Sequence, residues 1–560
     1  MRRGLPTTVR FASTARPVFS PQRRLPSYLH SAPALSTSAF SSSSRSQASA
    51  CFRPSSASFQ HAAPASASAS STEADQQPQP QQQAKPWEEI PGPKGYPILG
   101  NLLEFATFPG GFHKMHEKID ELVASYGPLV RYEMLSQKAV LVTDADDSAA
   151  IHRAAGRYPV RAPVLPWQLY REHSKIFPGV VNMKGEPWAN GRRVLNEKLL
   201  RPPAVENYVP EVAKVAVDVV ELMKQSRDAT GYIPDIENIL FRFGMEAIGT
   251  VIFDARVGSL VANPEPQVKE FVKAVGGMFS ATQELMFGFP LYQWVSTPAW
   301  KRMVAHWDTI MKVGQVYVDR KMQEINKIVK EQGVEALQDS HSFLTFMLTK
   351  EGVTPEEVNV NCIDLLAGGV DTTSYTLLWT LYELSRNPEA QALLQKEVDE
   401  VLKGELPNAE TLKHLPIVKG CIREALRIHP VAFMIPRILD DEIELKGYRI
   451  PAGVQLNMVT KTMGLDEKYF PRATEFRPER YLNDNHHPYA SLPFGFGARM
   501  CVGRRVAEME MYVTLAHMAQ NFSFSYAGEQ PAEDILNLLL VPKEHVKLRF
   551  TDRKAPQATA

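Results

Sequence analysis

The 560-residue chain has only four cysteines, Cys51, Cys362, Cys421 and Cys501, and no two of them form a CxxC pair. That is too few and too scattered for a disulfide framework or a structural zinc site, and it fits a reducing compartment. Neither charge is in excess: 62 basic and 62 acidic side chains cancel, which excludes nucleic-acid binding by bulk positive charge. No apolar run reaches about 18 residues, so a membrane-spanning helix and a secretory hydrophobic segment are both missing. Acids are absent from the first 72 residues, which hold eight arginines and nineteen serines. That is the composition of an organellar transit peptide. A mitochondrial address is expected, with a plastid address or a merely unstructured tail as the alternatives.

Beyond this leader, 54 basic groups face 62 acidic ones, a net charge of −8. A Gln/Pro run from Gln76 to Gln83 cannot bury enough apolar surface to offset the entropy of ordering. Residues 1–85 are therefore expected to be leader and linker, and residues 86–560 one folded body. The body opens on Ile90-Pro91-Gly92-Pro93-Lys94-Gly95-Tyr96-Pro97, whose prolines stiffen the approach. Alternation over Val130–Met134 and the apolar run Ala139–Val142 predict a small sheet, while the long segments read helical. The expected class is mainly α with small β-sheets, without internal repeats.

Chemistry concentrates late in the chain. In Phe494-Gly495-Phe496-Gly497-Ala498-Arg499-Met500-Cys501-Val502-Gly503, three glycines let the backbone turn tightly, so that amides can point at the sulfur of Cys501. An amphipathic run, Arg504 to Phe522, follows. Cys501 thus stands near a helix N-terminus, where the dipole favours a metal-ligating thiolate. A tight turn around a buried thiol is an equal alternative at this point. Upstream, Thr354-Pro355-Glu356-Glu357 has the capping-box pattern of a helix that should run until Asn387-Pro388. At its middle lies Ala367-Gly368-Gly369-Val370-Asp371-Thr372-Thr373. Two adjacent helical glycines cost about 1 kcal/mol each, which close approach of a flat cofactor would offset; a kinked buried helix is the alternative. The Thr372 hydroxyl is placed to bond back to the Gly368 carbonyl. Glu424 and Arg427 share a helix face, a common pattern by itself. His486-His487 read as a solvated loop rather than a metal pair, and Cys362 and Cys421 as small core residues.

The Phe494–Gly503 segment matches, without exception, the FxxGxRxCxG signature of the cytochrome P-450 family, the haem-thiolate monooxygenases. The chain resembles that family across residues 91–503. The resemblance implies a single large fold with a long helix crossing haem b, Cys501 as proximal iron ligand and Phe494 beside the cofactor. It assigns Asp371 to proton delivery and Thr372 to handling iron-bound dioxygen. Glu424 and Arg427, with Arg480 from Phe476-Arg477-Pro478-Glu479-Arg480, correspond to the family's structural triad. Trp188 and Arg192 fit its WxxxR, and Arg437 and Arg499 its other two propionate arginines, forked donors suited to the two haem carboxylates.

The electrons should come ultimately from NADPH. An Arg-rich leader without an anchor points to the mitochondrial class, served by a 2Fe-2S, adrenodoxin-like ferredoxin and its reductase. That class carries basic residues at Lys419, Arg423, Arg504 and Arg505, which are expected to ring the face where electrons enter; charges merely solvating two helices are the alternative. Trp294, Trp300 and Trp307, with Pro290, Lys301 and Arg302, suit a peripheral contact with the matrix side of the inner membrane, or ordinary aromatic packing. Val431-Ala432-Phe433-Met434-Ile435 would line an apolar pocket. The look is that of the branch hydroxylating sterols and secosteroids. Oxidation of another apolar substrate, or a non-catalytic haem sensor or carrier, are the other expectations.

Overall fold

The computed structural model describes residues 84–135, 137–337, 341–483 and 485–553. The expected leader and linker, together with Cys51, therefore lie outside the described residues, apart from the last positions before 86. Among the described residues, seventeen α-helices surround four small sheets. None of these helices is long and apolar enough to cross a membrane.

The central helix runs Pro355–Arg386, close to its expected bounds. The Glu357 amide donates to Thr354 Oγ1 (3.2 Å) and the Glu357 carboxylate accepts from the Thr354 amide (2.8 Å), so both bonds of the predicted capping box form. With 32 residues it extends about 48 Å. The helix Ile236–Phe253 packs so closely against it that a Cβ on Gly369 would meet Ile248 at 2.9 Å, and one on Gly244 would meet the Val370 carbonyl at 2.7 Å. Ser374 Oγ seals the contact by donating to the Leu240 carbonyl at 2.7 Å. Small residues here let backbones approach, and the largest hydrophobic core forms around this pair.

The expected early strands form Leu129–Met134 and Gln137–Val142, paired antiparallel. They are half of a four-stranded sheet. Gln137–Val142 pairs parallel with Gln455–Met458, which pairs antiparallel with Ile435–Ile438. The amide of Ile438 donates to the Val160 carbonyl at 3.0 Å, bringing residues 159–161 alongside Arg437. The run after Cys501 is the helix Arg504–Asn521, as expected, but it is buried on most sides and not along one apolar face, a correction to its amphipathic reading; Phe522 already opens a strand.

Candidate active site

The cysteine loop turns as its glycines allow. Gly495 (φ +69°) and Gly497 (φ +73°) adopt left-handed backbone conformations that other residues rarely take. Gly503 does not, but its backbone amide favours the Cys501 anion. The Cys501 amide donates to the Phe494 carbonyl at 2.8 Å, closing the loop. Burial pushes the Cys501 thiol above its ordinary value, and the Gly503 amide, Arg192 and Arg504 only partly oppose this. Burial thus works against the dipole that favours the anion at this helix N-terminus, and a metal cation on the sulfur would favour the anion further. Cys501 nonetheless keeps accessible surface.

The two helical glycines have different causes. Gly369 is required by the close packing on Ile248, whereas a Cβ on Gly368 would meet nothing within 4 Å. Gly368 is exposed in the midst of an otherwise buried helix. Thr372 Oγ1 donates to the Gly368 carbonyl at 2.8 Å, as its spacing predicts. Asp371, one residue earlier, points elsewhere: it is 3% exposed and faces Gly276 of the helix Pro266–Phe287. Burial alone pushes its carboxyl up to about 7. The acid and the alcohol therefore stand on adjacent faces of one helix.

Arginines dominate the edge of the site. Arg192 and Arg437 are buried, and Trp188 lies flat beneath the Arg499 guanidinium at 3.7 Å. Arg192 donates to the Met500 carbonyl (2.5 Å) and Asn196 (2.7 Å), and Arg499 to the carbonyls of Pro159 (2.9 Å) and Met183 (3.0 Å). Sequence reasoning missed a fourth, Arg161, which donates to the Val181 carbonyl. Loss of hydration lowers all four, with Arg192 and Arg437 falling to about 10 and Arg499 to about 9; the other three add repulsion at Arg499. Among the described residues none of the four has a carboxylate partner. Converging, partly dehydrated cations without a counter-ion fit a ligand bearing two carboxylates. His152 adds a buried Nε2 without a partner beside Arg437. Together with the open face at Gly368 and the accessible Cys501, these residues fit a flat, dianionic iron porphyrin.

The triad is fully assembled. Glu424 accepts two bonds from Arg427 (2.7 and 2.8 Å), one from Arg480 (2.8 Å), one from the Tyr481 hydroxyl (3.1 Å) and one from the Arg477 amide (3.0 Å). Arg427 further holds the carbonyls of Gly464 and Ala473 at 2.6 Å. Buried charges this completely partnered lock the segment before the cysteine loop.

On the other flank, Lys419 and Arg423 stand one turn apart on the helix Pro416–Ile428. Arg504 pairs with Glu508 at 2.9 Å, and Lys419 feels the same carboxylate. Tyr512 lies in the combined field of Arg423, Arg504 and Arg505. The four basic residues are thus gathered on one surface.

The tryptophans divide. Trp307 is buried, stacked on Tyr170 and edge-on to Trp167, so its place is the core and not an interface, a correction to the sequence expectation. Trp300 is half-buried against Tyr292. Trp294, 67% exposed, joins Phe289, Leu291 and Val295 in an exposed apolar patch. His487 pairs with Asp146 and His486 packs on aromatic rings, as a surface loop would.

The sequence profile of the family described as Cytochrome P450 matches residues 90–550. Cytochrome P450 27C1 of Danio rerio is 32% identical over 483 residues, covering 84% of this chain and 88% of the relative. The mitochondrial sterol 26-hydroxylase of Rattus norvegicus is 33% identical over 480 residues (83% and 89%), and the mitochondrial 1,25-dihydroxyvitamin D(3) 24-hydroxylase of the same species 31% over 468 (83% and 89%). A cysteine loop, a long helix with an exposed glycine at its middle and an arginine edge, matched along nearly all of the folded body, have one explanation: the chain belongs to the cytochrome P450 family and is a haem monooxygenase using dioxygen and electrons ultimately from NADPH.

Proposed function

We propose that the protein is a mitochondrial, ferredoxin-dependent monooxygenase that hydroxylates a steroid-, sterol- or secosteroid-like lipid. The observation that carries this is its similarity, along more than four fifths of the chain, to mitochondrial enzymes named for sterol and vitamin D hydroxylation. Haem, when bound, supplies dioxygen activation and C–H oxidation. Cys501 would ligate its iron, Trp188, Arg161, Arg192, Arg437 and Arg499 would hold its carboxylates, and Phe494 would close the loop beside it. Gly368 leaves room on the facing helix, and Thr372 presents a hydroxyl whose proton is committed to the Gly368 carbonyl, leaving its oxygen free to accept.

Asp371, poised near neutral pH, can release and regain a proton at its carboxyl. Phe433 and Ile435, both buried, and the half-buried Met434 lead into Arg437 and suit an apolar substrate. Lys419, Arg423, Arg504 and Arg505 offer a basic surface for an acidic 2Fe-2S ferredoxin. The patch of Phe289, Leu291, Trp294 and Val295 suits peripheral contact with the matrix face of the inner membrane. The test is reconstitution of the haem-loaded protein with ferredoxin, its reductase and NADPH over a sterol and secosteroid panel. A hydroxylated product supports the proposal. Turnover only of fatty acids, retinoids or xenobiotics refutes the substrate class.

A further inference from the structure

Away from the haem site, the start of the helix Ile236–Phe253 meets the segment leading to the last strand, and three side chains converge there. Asp235, Glu237 and His545 place one ligand atom each within 4.8 Å of one another. Two of the three are already aimed by bonds to the backbone. Asp235 Oδ1 accepts from the Asn238 amide at 3.1 Å, and Glu237 Oε1 accepts from the Val546 amide at 2.7 Å. The second Glu237 oxygen, Oε2, is buried without a hydrogen-bond partner, in a residue only 8% exposed. His545 Nδ1 lies 3.2 Å from it, an ion pair only when the imidazole is protonated, on a side chain that is 73% exposed.

We propose that Asp235, Glu237 and His545 bind a zinc-class divalent cation at the surface of this protein. An unsatisfied buried carboxylate oxygen is costly by itself, and a cation bound to it removes that cost. One imidazole nitrogen with two carboxylates suits zinc, a borderline metal, and disfavours magnesium, which prefers oxygen alone. The backbone bond that fixes the other oxygen of Glu237 is the outer-shell support that metal ligands require. Ligand atoms around tetrahedral zinc stand about 3.3 Å apart, and the exposed side chains of Asp235 and His545 can close the remaining distance. Solvent completes the coordination. The other carboxylate–histidine cluster, His116, Glu117 and Asp534, is different: Lys114 pairs with Glu117 and Lys461 with Asp534, so lysines already supply the positive charge.

The test uses tag-free, haem-loaded protein dialysed against zinc chloride, with bound metal measured by mass spectrometry and affinity by calorimetry. One equivalent of zinc is expected, with binding weakened at least tenfold in His545→Ala and in Asp235→Asn. Both positions are exposed, and an unchanged ferrous–CO spectrum confirms that the variants fold. A thermal midpoint that rises with zinc in the wild type but not in His545→Ala is the second expected result. No stoichiometric zinc on the wild type, equal affinity in the variants, or equal binding of magnesium overturns the proposal.

Discussion

Asp371 makes its own pH dependence. Its carboxyl is held at about 7 by burial, against an ordinary 3.8, with no ion pair to reverse the effect. Between these values the unfolded chain has lost the proton and the folded chain has kept it, so stability falls as pH rises through this window. The gap corresponds to about 4 kcal/mol, fully lost once the pH exceeds about 7. Asp371→Asn keeps the shape and removes the charge. Urea unfolding of haem-loaded wild type and variant at pH 5, 6, 7 and 8 should therefore show the Asn form gaining about 2.5 kcal/mol on the wild type across the series, the rest of the gap having opened already below pH 5, since all other groups cancel in the difference. Turnover should move the other way, because the amide cannot donate and regain a proton, and product formation should fall by roughly 10²-fold. Parallel stability profiles for the two proteins would refute the assignment of an unpaired, buried acid.

The other predictions concern the lock, the cradle, the ligand and the partner. Glu424→Ala leaves Arg427 buried without its anion, a loss of about 3–5 kcal/mol, so the variant should fail to retain haem when its absorbance is read after expression. Arg161→Gln removes one of four cradle cations, and the haem dissociation rate, followed by transfer to apomyoglobin, should rise several-fold while the ferrous–CO band stays in place. Cys501→Ser should abolish the thiolate-type ferrous–CO band; an unchanged band would sink the assignment of the ligand. Lys419→Glu with Arg423→Glu should weaken ferredoxin binding at least tenfold and flatten its salt dependence, measured by titration at several ionic strengths.

What was legible in the sequence was local. The cap at Thr354, the stop at Asn387-Pro388, the back-bond from Thr372 and the turns at Gly495 and Gly497 each depend on residues within a few positions, and each forms as expected. What was hidden depends on distant chain. Arg161 sits in a short segment with no periodicity, and only its bridge to the strand Ile435–Ile438 places it beside Arg437. Trp307 has the same neighbours in sequence as an interfacial residue would, but Tyr170 and Trp167, far upstream, claim it for the core.

The adjacent glycines show why composition alone underdetermines a site. Both carry the same intrinsic helical penalty, so from sequence a single cause, the cofactor, serves for both. In the fold, Gly369 answers to Ile248 and Gly368 to open space. An alanine at 369 must therefore push two helices apart before it touches anything chemical, whereas an alanine at 368 leaves their packing intact and intrudes on whatever occupies the space before it. The two substitutions thus separate stability from haem environment: Gly369→Ala should lower the thermal midpoint, and Gly368→Ala should leave it and shift the Soret band. If Gly368→Ala changed neither the Soret position nor the substrate-induced shift, the face of the central helix assigned to the cofactor would be wrong.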